Sequence, residues 1–442
     1  MKYIPPFIIA KLRRGKLRGR LYAYILVCEL ANLGQLTAGF KARGKKGAKD
    51  LARWLDELWM EPLEEVERRG GLIARWQGDS LWALFPQARP RETVAALEFI
   101  RSTFRQTTLK REKLGGPVPR IKLLVGCGRV DWQIFSNQLQ HEYTFSGREV
   151  DALELLPRGR KQLLLTPAAS AKLGEAGLLD CRGNPVRGIK PKSADQPKLI
   201  SDENLALLSK FEHPRFRDWG PGTDFRQVAC CQIKLRWDDP SAVDQLIQDM
   251  ELLAITFGAF VRGVHRSGNE YTAIAWFGVP RIDSKATYNS CRVALEASKK
   301  YPAIRHGIAV GKVFAGKVGG EDFSRYAVFG AVEEQARKLC AMTQPGETIT
   351  DQQIQAELSD QFNFLPLAKS GRSRKSGDPQ VFKLAGMPTP VKTRGIFVGR
   401  KEELADLKTL IRQSLKCGNN LCVHICGTPG IGKTRLSEEL IA

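Results

Sequence analysis

A chain of 442 residues has room for two to four domains. Its 43% apolar and 26% charged residues exclude a disordered class. The formal net charge of +22 favours anionic partners: nucleotides, nucleic acid or acidic surfaces.

The N-terminal stretch MKYIPPFIIAKLRRGK places its basic cluster after a short apolar run, the reverse of a secretory leader. No apolar run reaches the length of a membrane span. Ten cysteines, several inside apolar runs such as VACCQI and none in a C-x-x-C pair, fit buried reduced thiols and a cytoplasmic location. The basic, Gly-dotted runs at 11–20, 41–49 and 369–378 lack interleaved aromatics, so they read as solvated loops, and nucleic acid is not the expected partner.

The first predicted strand is LYAYILVCEL (21–30). After a helix, GGLIARWQGDSLWALF (70–85) reads as strand, tight turn, strand, with Asp79 at the tip. A second helix follows, then the strands of IKLLVGCGRV and YTFSG, then the helical pattern REVDALELL. The tract at 182–199, rich in Pro, Gly and charge, reads as a linker. Beyond it the series repeats: RQVACCQIKL (226–235), a helix, a strand pair ending in IAWFGVP (274–280), a helix, IRHGIAVGKV, YAVFG and AVEEQARKLC. Gly128 precedes Tyr143 by the interval that separates Gly311 from Tyr326. Each copy runs strand, helix, strand, strand, helix, strand. The expected class is therefore α+β, two ferredoxin-like βαββαβ units packed face to face with a site at their seam.

A second linker, MPTPVKTRG (387–395), divides the chain into expected segments 1–200, 205–388 and 389–442. In the last, LCVHICGTPGIGKTRLSEEL (421–440) reads as buried strand, glycine loop and helix start. Gly427, Gly430, Gly432, Lys433 and Thr434 belong to a G-x-x-x-x-G-K-[ST] phosphate loop. Its backbone N–H groups would wrap phosphates, Lys433 would reach the β- and γ-phosphates, and Thr434 would ligate Mg²⁺. One helix follows the loop before Ala442, so the expectation is an α/β P-loop domain present only in part.

The tandem copies resemble class III nucleotidyl cyclases of the soluble adenylate cyclase type, through GGLIARWQGDSLWALF, HGIAVGKVFAGKVGGEDFSRYAVFG and their shared spacing. FVGR (397–400) and the glycine loop resemble the entry to a signal-transduction ATPase of the STAND type. The resemblance implies conversion of ATP to cyclic AMP by two Mg²⁺ or Mn²⁺ ions held at the seam, coupled to the ATPase domain as an intramolecular partner. It assigns the metals to Asp79 and to Glu29, which stands where the family has Asp, and it puts Asn32 where the family has a phosphate-cradling Gly. From the second copy it assigns base contacts to Arg262 and Ala327, and transition-state roles to Glu334 and Lys338, where the family has Asn and Arg.

Several of these substitutions argue against full turnover. Ala327 offers no side-chain hydrogen bond, Lys338 lacks the guanidinium fork, and Glu334 sets negative charge near polyphosphate. At the mirror-image position, where some relatives hold bicarbonate with Lys and Arg, this chain has Arg75 and Glu154, so bicarbonate activation is not expected. Two readings follow: a cyclase with an altered site, or a nucleotide-binding pseudo-cyclase that regulates the ATPase. A basic nucleic-acid-associated protein is a third, with net charge alone behind it.

Overall fold

The computed structural model describes residues 3–76, 79–113, 118–136, 140–157, 161–186, 188–189, 205–211, 222–236, 240–320, 323, 325–367, 380–388, 399–418, 421–428 and 430–441. The chain divides into two compact units, Met1–Met387 and Pro388–Ala442. The first unit holds two sheets.

The first half runs α1 (Pro6–Arg13), β1 (Arg18–Leu30), α2 (Leu33–Lys41), α3 (Gly44–Arg68), β2 (Leu72–Trp76), β3 (Ser80–Pro86), α4 (Pro90–Lys113), β4 (Ile121–Ser136), β5 (His141–Ser146), α5 (Arg148–Leu155), β6 (Leu163–Leu165) and α6 (Pro167–Glu175). A short α7 (Leu205–Ser209) precedes the second half. That half runs β7 (Asp224–Arg236), α8 (Pro240–Thr256), β8 (Ala259–Ser267), β9 (Glu270–Phe277), α9 (Ala286–Lys300), β10 (Arg305–Val318), β11 (Arg325–Phe329), α10 (Ala331–Ala341), β12 (Thr348–Asp351), α11 (Gln352–Leu358), β13 (Asn363–Pro366) and β14 (Val381–Gly386).

The first sheet has the order β2-β3-β1-β4-β5, with β6 parallel to β4. In the second, β8-β9-β7-β10 lie side by side, β11 pairs with β10, and β12 runs parallel to β10. The two orders correspond strand for strand. In each half the first strand is central and buried along most of its length: Ala23 through Cys28, and Val228 through Ile233. Such near-continuous apolar runs are what a strand covered on both faces requires.

The equal spacing of Gly128 and Gly311 has a packing cause. A Cβ on Gly128 would lie 2.7 Å from Glu149 Cγ on α5, and one on Gly311 would lie 2.8 Å from Val332 Cγ2 on α10. Each helix packs that closely on its strand because no side chain stands between them.

Helix α3 buries Trp54, Leu55, Leu58, Trp59, Leu63 and Val66 and continues through Pro62. It also touches β7 and β10 of the second half. One core therefore crosses the seam: Trp59 and Trp76 share a cluster with Phe225, Phe314, Phe323, Ala327 and Phe329. Phe314 and Phe329 stack with ring centres 4.6 Å apart. Strands β5 and β8 face each other across the same seam.

The second unit holds α12 (Lys401–Cys417) and α13 (Lys433–Ile441). The strand expected in LCVHIC is a correction: residues 421–428 form neither strand nor helix. A strand of a parallel sheet is held by hydrogen bonds to its neighbours, and 421–428 pair with no strand among the described residues. Leu421 and Val423 are accordingly exposed.

Candidate nucleotide site at the seam

The β2–β3 hairpin carries Asp79 to the end of β1. Leu30 donates its N–H to the Asp79 carbonyl (2.8 Å), and Glu29 lies opposite Ser80 in the β1–β3 register. The structure thus brings Glu29 and Asp79 to the same end of adjacent strands. Ser80 donates its hydroxyl to Asp79 Oδ1 at 3.3 Å. Burial pushes the Asp79 carboxyl above its usual range; its own backbone N–H, Arg75 and Ser80 counter this, and the charge of Glu29 adds to it.

Asn32 does not stand open for phosphate. Its Nδ2 donates to the Val118 carbonyl and its Oδ1 accepts from the Arg120 N–H, both at 2.9 Å. The side chain fastens the segment after β1 to the segment that enters β4.

On α10 the inward residues are Val332, Ala336, Leu339 and Cys340, which pack on the sheet. That register leaves Glu334 and Lys338 exposed and paired with each other at 3.6 Å, with Arg337 also donating to Glu334. The acid that reaches the seam from this helix is Glu333. Burial first, and then the charge of Asp79, lift its carboxyl to about 7, with Arg75 opposing the rise. Helical periodicity was the available signal for Glu333, since it follows the buried Val332; the alignment by motif pointed one residue later.

Between the halves lies a cavity of about 140 Å³. Its walls come from β2, β3, β5 and α5 on one side and from β8, β9, β11 and α10 on the other. Arg262 and Ala327 are both in the wall. Arg262 Nη1 donates to the Tyr326 carbonyl at 2.6 Å, and its guanidinium lies 5.3 Å from the Phe260 ring centre. Ala327 is buried in the shared core.

The mirror-image position is filled from within the chain. Arg75 meets Glu154 at 3.7 Å, and His265 from the second half meets the other Glu154 oxygen at 3.4 Å. The Arg75 guanidinium also lies 4.6 Å from the Trp82 ring centre. A carboxylate of the protein itself, Glu154, therefore lies against Arg75 and His265 where an exogenous anion would sit.

Among the described residues no three His, Cys, Asp or Glu side chains gather as a metal cage. A pair of carboxylates is the donor set that Mg²⁺ or Mn²⁺ accepts when substrate phosphates and water supply the remaining oxygens. Glu29 and Asp79 fit that requirement in kind, and the strand register brings them to the same end of β1 and β3.

In the second unit, Lys433 Nζ donates to the carbonyls of Gly427 (2.9 Å) and Thr428 (3.0 Å). Gly430 and Gly432 sit at φ +81° and +92°, a region that disfavours side chains, so glycine is required for this turn. Thr434 lies exposed in the first turn of α13.

No protein-family profile matches the sequence, and no curated protein matches it. Solved structures do. The chain is similar to a class III adenylyl cyclase-like ATP-binding protein from Pseudomonas aeruginosa, with a TM-score of 0.54 and 12% identity over 77% of this chain and 85% of that one. The fold is class III cyclase-like. Other matches are the dimeric guanylyl cyclase domain of the RhoGC fusion protein from Blastocladiella emersonii (TM-score 0.33, 14% identity, 38% of this chain and 100% of that one) and the adenylyl cyclase CyaB from P. aeruginosa (TM-score 0.31, 15%, 37% and 95%). The cyclase-like fold sets the β2–β3 hairpin of the first half against β8, β11 and α10 of the second, and no described helix is long and apolar enough to cross a membrane.

Proposed function

We propose that this chain is a cytoplasmic, cyclase-like nucleotide-binding module whose tandem halves form a pseudo-dimer. It takes ATP with Mg²⁺ or Mn²⁺ at the seam and signals to the P-loop unit as its intramolecular partner. The observation that carries this reading is the joining of Asp79 to the end of β1 beside Glu29, with its charge felt by Arg325 and Glu333 of the second half. The similarity in fold to an ATP-binding cyclase-like protein supports it. Glu29 and Asp79 hold the metal, Arg262 and Ala327 border the base, and the loop Gly427–Thr434 holds a second phosphate group through Gly427, Gly430, Gly432, Lys433 and Thr434.

Turnover to cyclic AMP is the second reading, favoured by the same acid pair. Against it stand the exposed Glu334–Lys338 pair and the buried methyl of Ala327. Loss of one charge-stabilising group costs about 10²–10³ in rate. The test is calorimetric titration of ATP with Mn²⁺, alongside a cyclic AMP assay, on the wild type and Asp79→Asn. Binding weakened about tenfold or more by the substitution, without product, supports the module. Cyclic AMP abolished by Asp79→Asn supports the enzyme. ATP binding indifferent to Asp79, or none at all, refutes the seam as a metal–nucleotide site.

A further inference from the structure

The seam cavity holds a cation, Arg325, whose side chain is in no ion pair among the described residues. Arg325, half-buried at the start of β11, lines the cavity; its backbone pairs with Val318 of β10, and its side chain makes no ion pair or hydrogen bond among the described residues. Its Nε is buried without an acceptor, and so is Nε1 of Trp76 in the same wall. Burial and the neighbouring Arg262 act against its charge, while the carboxylates of Glu142 and Asp79 favour it. A buried polar atom without a partner loses its hydration with nothing in return, and Nε of this half-buried guanidinium is such an atom. These donors stand beside the aromatic side chains Trp76, Tyr143, Phe260 and Trp276, in a wall that also carries Arg75, Arg262 and His265 and the acids Glu142, Glu154 and Glu333.

We propose that the seam cavity is a binding site for a small aromatic carboxylate, whose ring lies among these aromatic side chains and whose carboxylate is taken by Arg325. A planar carboxylate matches the guanidinium fork, and aromatic faces hold a flat ring. The cavity, about 140 Å³, is smaller than the 300–1,000 Å³ of sites for drug-sized ligands. It suits a one- or two-ring acid rather than a whole nucleotide. Such a ligand would touch both halves at once and so favour their closed arrangement. The cavity shares Arg262 and Ala327 with the base side of the nucleotide reading, but the acid is held by Arg325 and needs neither Glu29 nor a divalent ion.

The test uses the full chain with benzoate and indole-3-carboxylate as probes, benzamide as the neutral control, and inorganic phosphate and ATP as competitors. Tryptophan fluorescence and thermal shift are both read, since Trp76 and Trp276 are in the wall. The expected result is saturable binding of at least one acid, little response to benzamide, and a loss of about tenfold or more in affinity in Arg325→Gln. Trp76→Phe removes the indole N–H and one of its two rings while leaving an aromatic face, so it should fold and weaken binding by a smaller factor. No saturable response to either acid overturns the proposal. So does equal binding of acid and amide, or binding unchanged in Arg325→Gln. Displacement of the acid by inorganic phosphate alone would reassign Arg325 to phosphate and overturn it too. Failure of ATP to bind at all would leave this site standing while refuting the nucleotide reading.

Discussion

At the residue scale, two buried groups pull stability in opposite directions with pH. Glu333 is held at about 7 against an ordinary 4.5, so the folded chain keeps its proton where the unfolded chain has lost it. Stability from this group is therefore highest below about pH 4.5 and falls as pH rises to about 7. Glu333→Gln should remove that slope and raise stability at about pH 8 by at most about 3 kcal/mol, read by urea titration across the range. His306 acts the other way. It is fully buried, its Nδ1 lies 3.3 Å from the Thr348 hydroxyl, and burial lowers it to about 3 from 6.5. Its contribution is present above about pH 6.5 and is lost as pH falls toward 3, because only the unfolded chain takes the proton. His306→Gln should flatten the acid limb of the stability curve while leaving the slope from Glu333 in place. A double variant that kept either slope would contradict one of the two assignments.

At the element scale, much of the architecture was legible and one register was not. Strands such as LYAYILVCEL and helices such as AVEEQARKLC announce themselves because burial imposes a period of two or 3.6 on the apolar residues. The repeated glycines at 128 and 311 were visible as spacing, and their cause, close approach of α5 and α10, needed coordinates. What the motif could not supply was the rotation of α10. Matching residue types assigned Glu334 and Lys338 to the chemistry, whereas packing of Val332, Ala336 and Leu339 turns them to solvent and brings Glu333 to the seam. Arg325 carried no sequence signal, since its unpaired burial arises only when the two halves close. Lys338→Ala should accordingly change stability by no more than about 0.5 kcal/mol and leave ATP affinity unchanged, because its side chain is 72% exposed and its ion pair is a surface one. A large loss of ATP affinity would mean that α10 turns on binding. In contrast, Trp59 on α3 is fully buried with its ring 5.5 Å from that of Phe104, so Trp59→Ala should cost about 3–5 kcal/mol, measured by denaturant unfolding.

At the scale of the whole molecule, the two proposed phosphate-binding elements lie in two compact units. The seam element rests on side chains from both halves of the first unit, so it needs that unit whole. The glycine loop is local: its lysine bonds two carbonyls within its own turn, and 421–428 lean on no sheet among the described residues. Phosphate arriving at the loop would have to draw Lys433 Nζ from those carbonyls, which weakens this element relative to a loop with its lysine free. The two should therefore separate by variant and by affinity. Equilibrium dialysis of ATP with Mn²⁺ should resolve a tighter class of site removed by Asp79→Asn and a weaker one removed by Lys433→Ala, each variant sparing the other class. A chain ended after Met387 should keep the tighter class and the main thermal transition, because the core that crosses the seam lies wholly before that point. Loss of both classes in Lys433→Ala would show that the glycine loop governs the seam, and that the intramolecular signal runs from the P-loop unit to the cyclase-like halves.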